Sequence, residues 1–139
     1  MVGKMLPKDF WKFIDETQKR VEDWVRENTA DKNFECCRFA CDIMYRILAD
    51  WKIHEKCGRE TLDDVMSIMT LWVRGIQHDV ILLFGYIHDP THMQFNPQLT
   101  KEEYATSVFA EDFGEACEMI FRDAAVLEVC KEIRPELYR

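Results

Sequence analysis

The residues best equipped for chemistry cluster in one stretch, HDVILLFGYIHDPTH, which holds His78, Asp79, His88, Asp89 and His92. Imidazole and carboxylate ligands suit zinc, iron or manganese. His78, Asp79, His88 and His92 are therefore the candidate set for a divalent metal. Their spacing argues against a ready-made site. Drawn on one helix, His78 and His88 point about 80° apart, and Pro90 keeps His88 and His92 from forming an i,i+4 helical pair. A polar helix end followed by a loop accounts for the same residues.

Asp79 is the most informative of them. On a helix it falls in the apolar arc of Val65, Ile68, Trp72 and Tyr86, where its carboxylate would be desolvated unless cations or donors answer it. That position suits a general acid/base or a metal ligand. It equally suits a buried aspartate bonded to Arg, Tyr or an indole, or a cap for a segment starting at Val80.

The six cysteines offer less. Cys37 and Cys41 lie one helical turn apart and His54 and Cys57 nearly so, each a possible half of a metal site. The first pair sits on an apolar stripe, which points to core packing. Adjacent Cys36 and Cys37 do not read as a disulfide framework in a chain of this size, so the expected compartment is reducing and cytoplasmic. Glu115 and Glu118 resemble half of a helical carboxylate set, with no matching second pair. The chain has no glycine-rich phosphate loop, no G-x-S-x-G elbow and no Cys-x-x-Cys. No catalytic set emerges, and a non-enzymatic role is favoured.

The elements that must position these groups read as helices. With 139 residues, 47% hydrophobic, and only 5 Gly and 4 Pro, the chain has the composition of a single all-α domain. Phe10, Ile14, Thr17, Val21 and Trp24 stripe a helix over about 8–27. A second, over about 33–57, carries two apolar stripes and should touch several neighbours. A third, opening at Thr61, continues through the apolar run 80–87. After a loop over 88–98, Thr100 and Glu103 form a capping box. Helical pattern then runs to Ile133, where Arg134-Pro135 ends it, with Gly114 marking a kink or break. The expected architecture is a four- or five-helix bundle. Arg74, His78 and Asp79 inside the best apolar run exclude a membrane span.

Charge gives the functional expectation. The net charge is −8, the wrong sign for direct nucleic-acid binding. Residues 1–57 hold 11 acids and 11 bases, 58–100 hold 5 and 2, and 101–139 hold 10 and 5. The acidic excess thus belongs to the second half, where Glu111, Glu115 and Glu118 would stripe one helix face. Such a stripe suits a basic protein partner, for instance one that handles nucleic acid; it is also an ordinary solvated face. Trp11, Tyr104, Met119, Val126 and Val129 lie off the main stripes, surplus apolar surface for a homodimer or for another intramolecular contact. The sequence therefore favours an acidic interaction module without cofactor (an inhibitor, immunity-type protein, adaptor or regulator). Its alternative is a metal-dependent helical enzyme or sensor built on the His/Asp cluster.

Overall fold

A computed structural model describes residues 8–28, 37–54, 66–83, 85–112 and 117–138, with backbone alone at 8–9, 52–54, 108–112 and 117–118. It is not a helix bundle. The elements in chain order are α1 (Lys8–Asn28), α2 (Cys37–His54), β1 (Met66–Val73), β2 (Ile76–Leu83), β3 (Tyr86–His88), α3 (Lys101–Thr106), β4 (Val108–Asp112), α4 (Cys117–Arg122) and α5 (Ala124–Ile133). The strands form one antiparallel sheet in the order β3-β2-β1-β4. The all-α expectation is thereby overturned, and the fold is mixed helix and sheet.

The first two helices stand where periodicity puts them. Phe10, Ile14, Thr17 and Val21 of α1 are fully buried. Around α2, residues Ala40, Cys41, Ile43, Met44, Tyr45, Ile47, Leu48 and Ala49 are all buried, because this helix packs against α1, α5 and the sheet at once. Trp51 lies between Phe10, centroids 4.9 Å apart and parallel within 1°, and Phe13, also at 4.9 Å. Each stack adds about 0.5–1.5 kcal/mol beyond area burial.

The third helix does not exist within the described residues. From Met66 to Leu83 the chain is a hairpin, with Met66 opposite Leu83 and Val73 opposite Ile76. Its two-residue turn is Arg74-Gly75, with φ of 52° and 78°. Positive φ at both central positions is the geometry that matches the twist of paired strands. Gly supplies it freely, whereas Arg74 must be held there. Its guanidinium bonds both carboxylate oxygens of Glu103 at 2.7 Å and the Pro97 carbonyl at 2.6 Å. Met66, Ile68, Ile81 and Leu83 join the α2 core, while Leu71, Val73 and Val80 are buried apart from it. A sheet buried on more than one side has no polar alternation, which is why the apolar run imitates a buried helix.

The C-terminal part is also broken up. Thr100 and Glu103 make the expected reciprocal capping box, but α3 ends at Thr106 and β4 pairs with β1, Glu111 opposite Thr70. Gly114 lies outside the described residues. The last helix ends at Ile133 with Arg134 as its C-cap, as the Arg-Pro pair implies. Val126 is fully buried, and Trp11 and Val129 pack against the core; only Met119, 73% exposed, remains as surplus apolar surface of that set. No described helix is long and apolar enough to cross a membrane.

Candidate functional site

The residues that converge are a thiol, an imidazole and a carboxylate from three different elements. Cys37 is the first described residue of α2, His78 lies near the start of β2, and Asp89 just beyond β3. Asp89 Oδ2 lies 2.7 Å from Nε2 of His78, both groups buried. Cys37 is the other side chain that acts on the same imidazole and raises it. Nδ1, the ring nitrogen that Asp89 leaves over, is buried and makes no hydrogen bond of ordinary geometry.

The carboxylate is held firmly. Oδ1 of Asp89 accepts from the Thr91 backbone N–H at 3.0 Å and, more weakly, from the Thr91 hydroxyl at 3.4 Å. The Tyr104 hydroxyl donates to Oδ2 at 2.6 Å, and Gln18 of α1 donates to the Asp89 carbonyl at 3.4 Å. Thr91 is the residue two on from Asp89, the spacing of an Asx-turn, so local sequence chemistry sets this side chain. Phe95 closes the far side of His78 with an edge-on contact, centroids 4.8 Å apart. The loop carrying Phe95 is tied to the hairpin turn by the Arg74 guanidinium, which donates to the Pro97 carbonyl at 2.6 Å and to the Gln98 carbonyl at 3.4 Å.

Electrostatics follow from these contacts. Burial alone would push the His78 imidazole toward neutrality. The Asp89 hydrogen bond and the neighbouring Asp89 and Cys37 groups outweigh it and raise the imidazole to about 9. Burial, then the Asp89 charge, drives the Tyr104 phenol upward, so it remains a donor. Cys41, fully buried one turn beyond Cys37, is pushed well above an ordinary thiol by burial and by Asp89, Asp79, Cys37 and Asp42. It donates to the Asp79 carbonyl at 3.3 Å. Of the two thiols on this turn, Cys37 has the base and Cys41 does not.

The histidines and aspartates singled out as a metal set go to separate places. His78 pairs with Asp89. Asp79 accepts from the Thr70 hydroxyl at 2.6 Å and lies 3.9 Å from the Cys37 sulfur. His88 Nε2 is buried without a partner, and burial lowers this imidazole below its ordinary value. His92 reaches Glu22 of α1 at 3.2 Å. Among the described residues no three His, Cys, Asp or Glu side chains are arranged to hold a metal. The proposed acidic stripe is likewise divided. Glu111 stands in strand β4, Glu118 in α4, and Glu115 lies outside the described residues; the side chains of the first two are not described.

Sequence reasoning missed Cys37 as a candidate nucleophile and Tyr104 and Asp89 as its supports. The usable signal was a Cys, a His and an Asp that are near one another only in space. Reading 66–83 as a helix hid it. Comparisons with protein families, with curated proteins and with solved structures found no match to this chain.

Proposed function

We propose that this protein is a cysteine-dependent acyl-transfer enzyme, a hydrolase or transferase, with Cys37 as nucleophile, His78 as base and acid, and Asp89 as the group that orients His78. The observation that supports this reading is the 2.7 Å Asp89–His78 contact, with Cys37 close enough to raise the same imidazole. A nucleophile, a base within reach and a third group fixing the base are the parts that thiol and serine acyl transfer share across unrelated folds.

Each residue has a role in the steps. Asp89 holds the proton on Nε2; in the neutral form of His78, whose share grows as pH rises toward about 9, Nδ1 takes the thiol proton of Cys37. The thiolate forms a C–S bond with the substrate carbonyl carbon, and the carbonyl electron pair moves to oxygen. As the tetrahedral adduct collapses, the bond to the leaving group breaks and His78 returns the proton to it. Water, or another nucleophile, then attacks the thioester with His78 again accepting the proton, and Cys37 is released as the thiol.

The acidic-interaction reading has no described side chain to carry it: Glu111 lies in β4, Glu118 in α4, and Glu115 outside the described residues. The thiol reading is tested by acylation with p-nitrophenyl acetate, mapped by peptide mass spectrometry. Acetyl should accumulate on Cys37, vanish in Cys37→Ala, and form about 10²–10⁴-fold more slowly in His78→Ala. Acetyl spread over several cysteines at rates indifferent to His78 would overturn it.

A further inference from the structure

The thiol has a second carboxylate beside it that the acyl-transfer steps do not use. Oδ1 of Asp79 is fixed by the Thr70 hydroxyl at 2.6 Å, and Thr70 is itself buried opposite it on β1. Oδ2 has only the Cys37 sulfur at 3.9 Å, a weak donor at long range. Among the described residues no lysine or arginine pairs with Asp79, and Arg38, the nearby base on α2, pairs with Asp42 at 2.9 Å. Asp79 is half-buried, and among the described residues its Oδ2 has no stronger donor. The fully buried His78, with Nδ1 left without a hydrogen bond, is the next residue back along β2.

A carboxylate next to a thiol that must become a thiolate works against the nucleophile, because like charges repel at this range. The penalty disappears when a cation sits between them. Two carboxylates, Asp79 and Asp89, stand here against the single positive charge of His78, and both act on the adjoining Cys41. We infer that the site takes a cationic acyl substrate, with a primary ammonium within a few ångströms of the scissile carbonyl carbon, and that Asp79 Oδ2 is the residue that recognises that ammonium. This rests on the acyl-transfer reading and adds the substrate's charge. An anionic substrate would meet two carboxylates and is selected against.

The test uses paired reagents of opposite charge on the full chain: 2-aminoethyl and 2-sulfonatoethyl methanethiosulfonate. In each, the Cys37 thiolate attacks the sulfenyl sulfur, a disulfide forms and methanesulfinate leaves. The ratio of cationic to anionic rates at Cys37, read by peptide mass spectrometry, is compared with that of N-acetylcysteinamide. The wild-type ratio should exceed the small-thiol ratio by about tenfold or more, and Asp79→Asn should bring it within about threefold. A wild-type ratio no higher than the small thiol's would overturn the inference, as would a ratio that Asp79→Asn leaves unchanged. Should that variant not fold, Thr70→Val, which frees the carboxylate from its anchor, must lower the ratio; no change counts against the proposal. A Cys37 slow with both reagents and indifferent to His78→Ala would fail the acyl-transfer reading instead. A fast Cys37 without charge preference fails this inference alone.

Discussion

Asp89 Oδ2 and His78 Nε2 meet at 2.7 Å across a separation of 11 residues, and the contact is possible only because the chain between them turns back at Gly85. Leu83 pairs with Tyr86 and Ile81 with His88, so the next residue, Asp89, is delivered beside β2. The same carboxylate oxygen also receives the Tyr104 hydroxyl. One oxygen therefore sets both the tautomer and the charge of the imidazole, and substitutions around it have signs that can be worked out.

Asp89→Asn keeps the shape but loses the charge. The amide can present its N–H to Nε2 and select the wrong tautomer, with the proton on Nδ1, where the thiol proton must go. Acylation of Cys37 should fall about 10³–10⁴-fold with little change in fold. In proton NMR the His78 titration midpoint should drop from about 9 toward the ordinary 6.5. A midpoint unmoved by the substitution would mean that Asp89 does not charge the ring.

The same shift makes stability depend on pH. The folded value of His78, about 9, lies above the unfolded 6.5. Its contribution is fully present below about pH 6.5 and is lost as pH rises through about 9; in size it is on the order of 3 kcal/mol. Urea melts of wild type and His78→Asn at pH 6 and pH 10 isolate it from other groups. The advantage of the wild type should shrink by that order between the two pH values. An equal advantage at both would show an imidazole already neutral in the fold.

How the sequence hid this arrangement is instructive residue by residue. Phe10, Ile14, Thr17 and Val21 announce α1 because only one face of that helix is buried, and Thr100 with Glu103 announces a helix start because a capping box is purely local. The hairpin is not local. Leu62, Val65, Met69, Trp72 and Ile76 fall at helical spacing, but the Thr70–Asp79 and Ile68–Ile81 pairs that decide the matter lie across strands. Arg74-Gly75 was the available turn signal, weakened because Arg is not the usual first residue of such a turn; a glutamate 29 residues away holds it there. Once 66–83 is two strands, His78 and Asp79 leave one helix wheel and reach Cys37 by separate routes. Burial of Cys37 was legible, at 6% exposure; its imidazole was not.

Tyr104→Phe removes one donor from Asp89 without touching the ring. The carboxylate, less neutralised, should pull harder on His78 and raise its midpoint by several tenths of a unit, opposite in sign to Asp89→Asn. Loss of the buried hydrogen bond should lower stability by about 1 kcal/mol. NMR titration of the variant decides the sign, and a fall in the midpoint would show that Tyr104 acts on His78 in some other way.

The strongest anchor outside the site is Arg134, 4% exposed at the end of α5. Its guanidinium bonds the buried Thr17 hydroxyl at 3.1 and 3.3 Å and Glu136 at 3.1 Å, and it lies 4.2 Å over the Phe13 ring. It thereby clamps the C-terminus to α1, the helix that also contacts the Asp89 loop through Gln18 and Glu22. Arg134→Ala should cost about 2–3 kcal/mol, since it removes charged hydrogen bonds and leaves Thr17 without its partner. Lys at this position keeps the charge but loses the planar fork that serves Thr17, Glu136 and Phe13 together, and should recover less than half of the loss. Both variants should label at Cys37 as the wild type does at temperatures where they are folded. A lysine variant as stable as the wild type would reduce the clamp to simple charge, and slowed labelling in folded protein would tie this anchor to the thiol site itself.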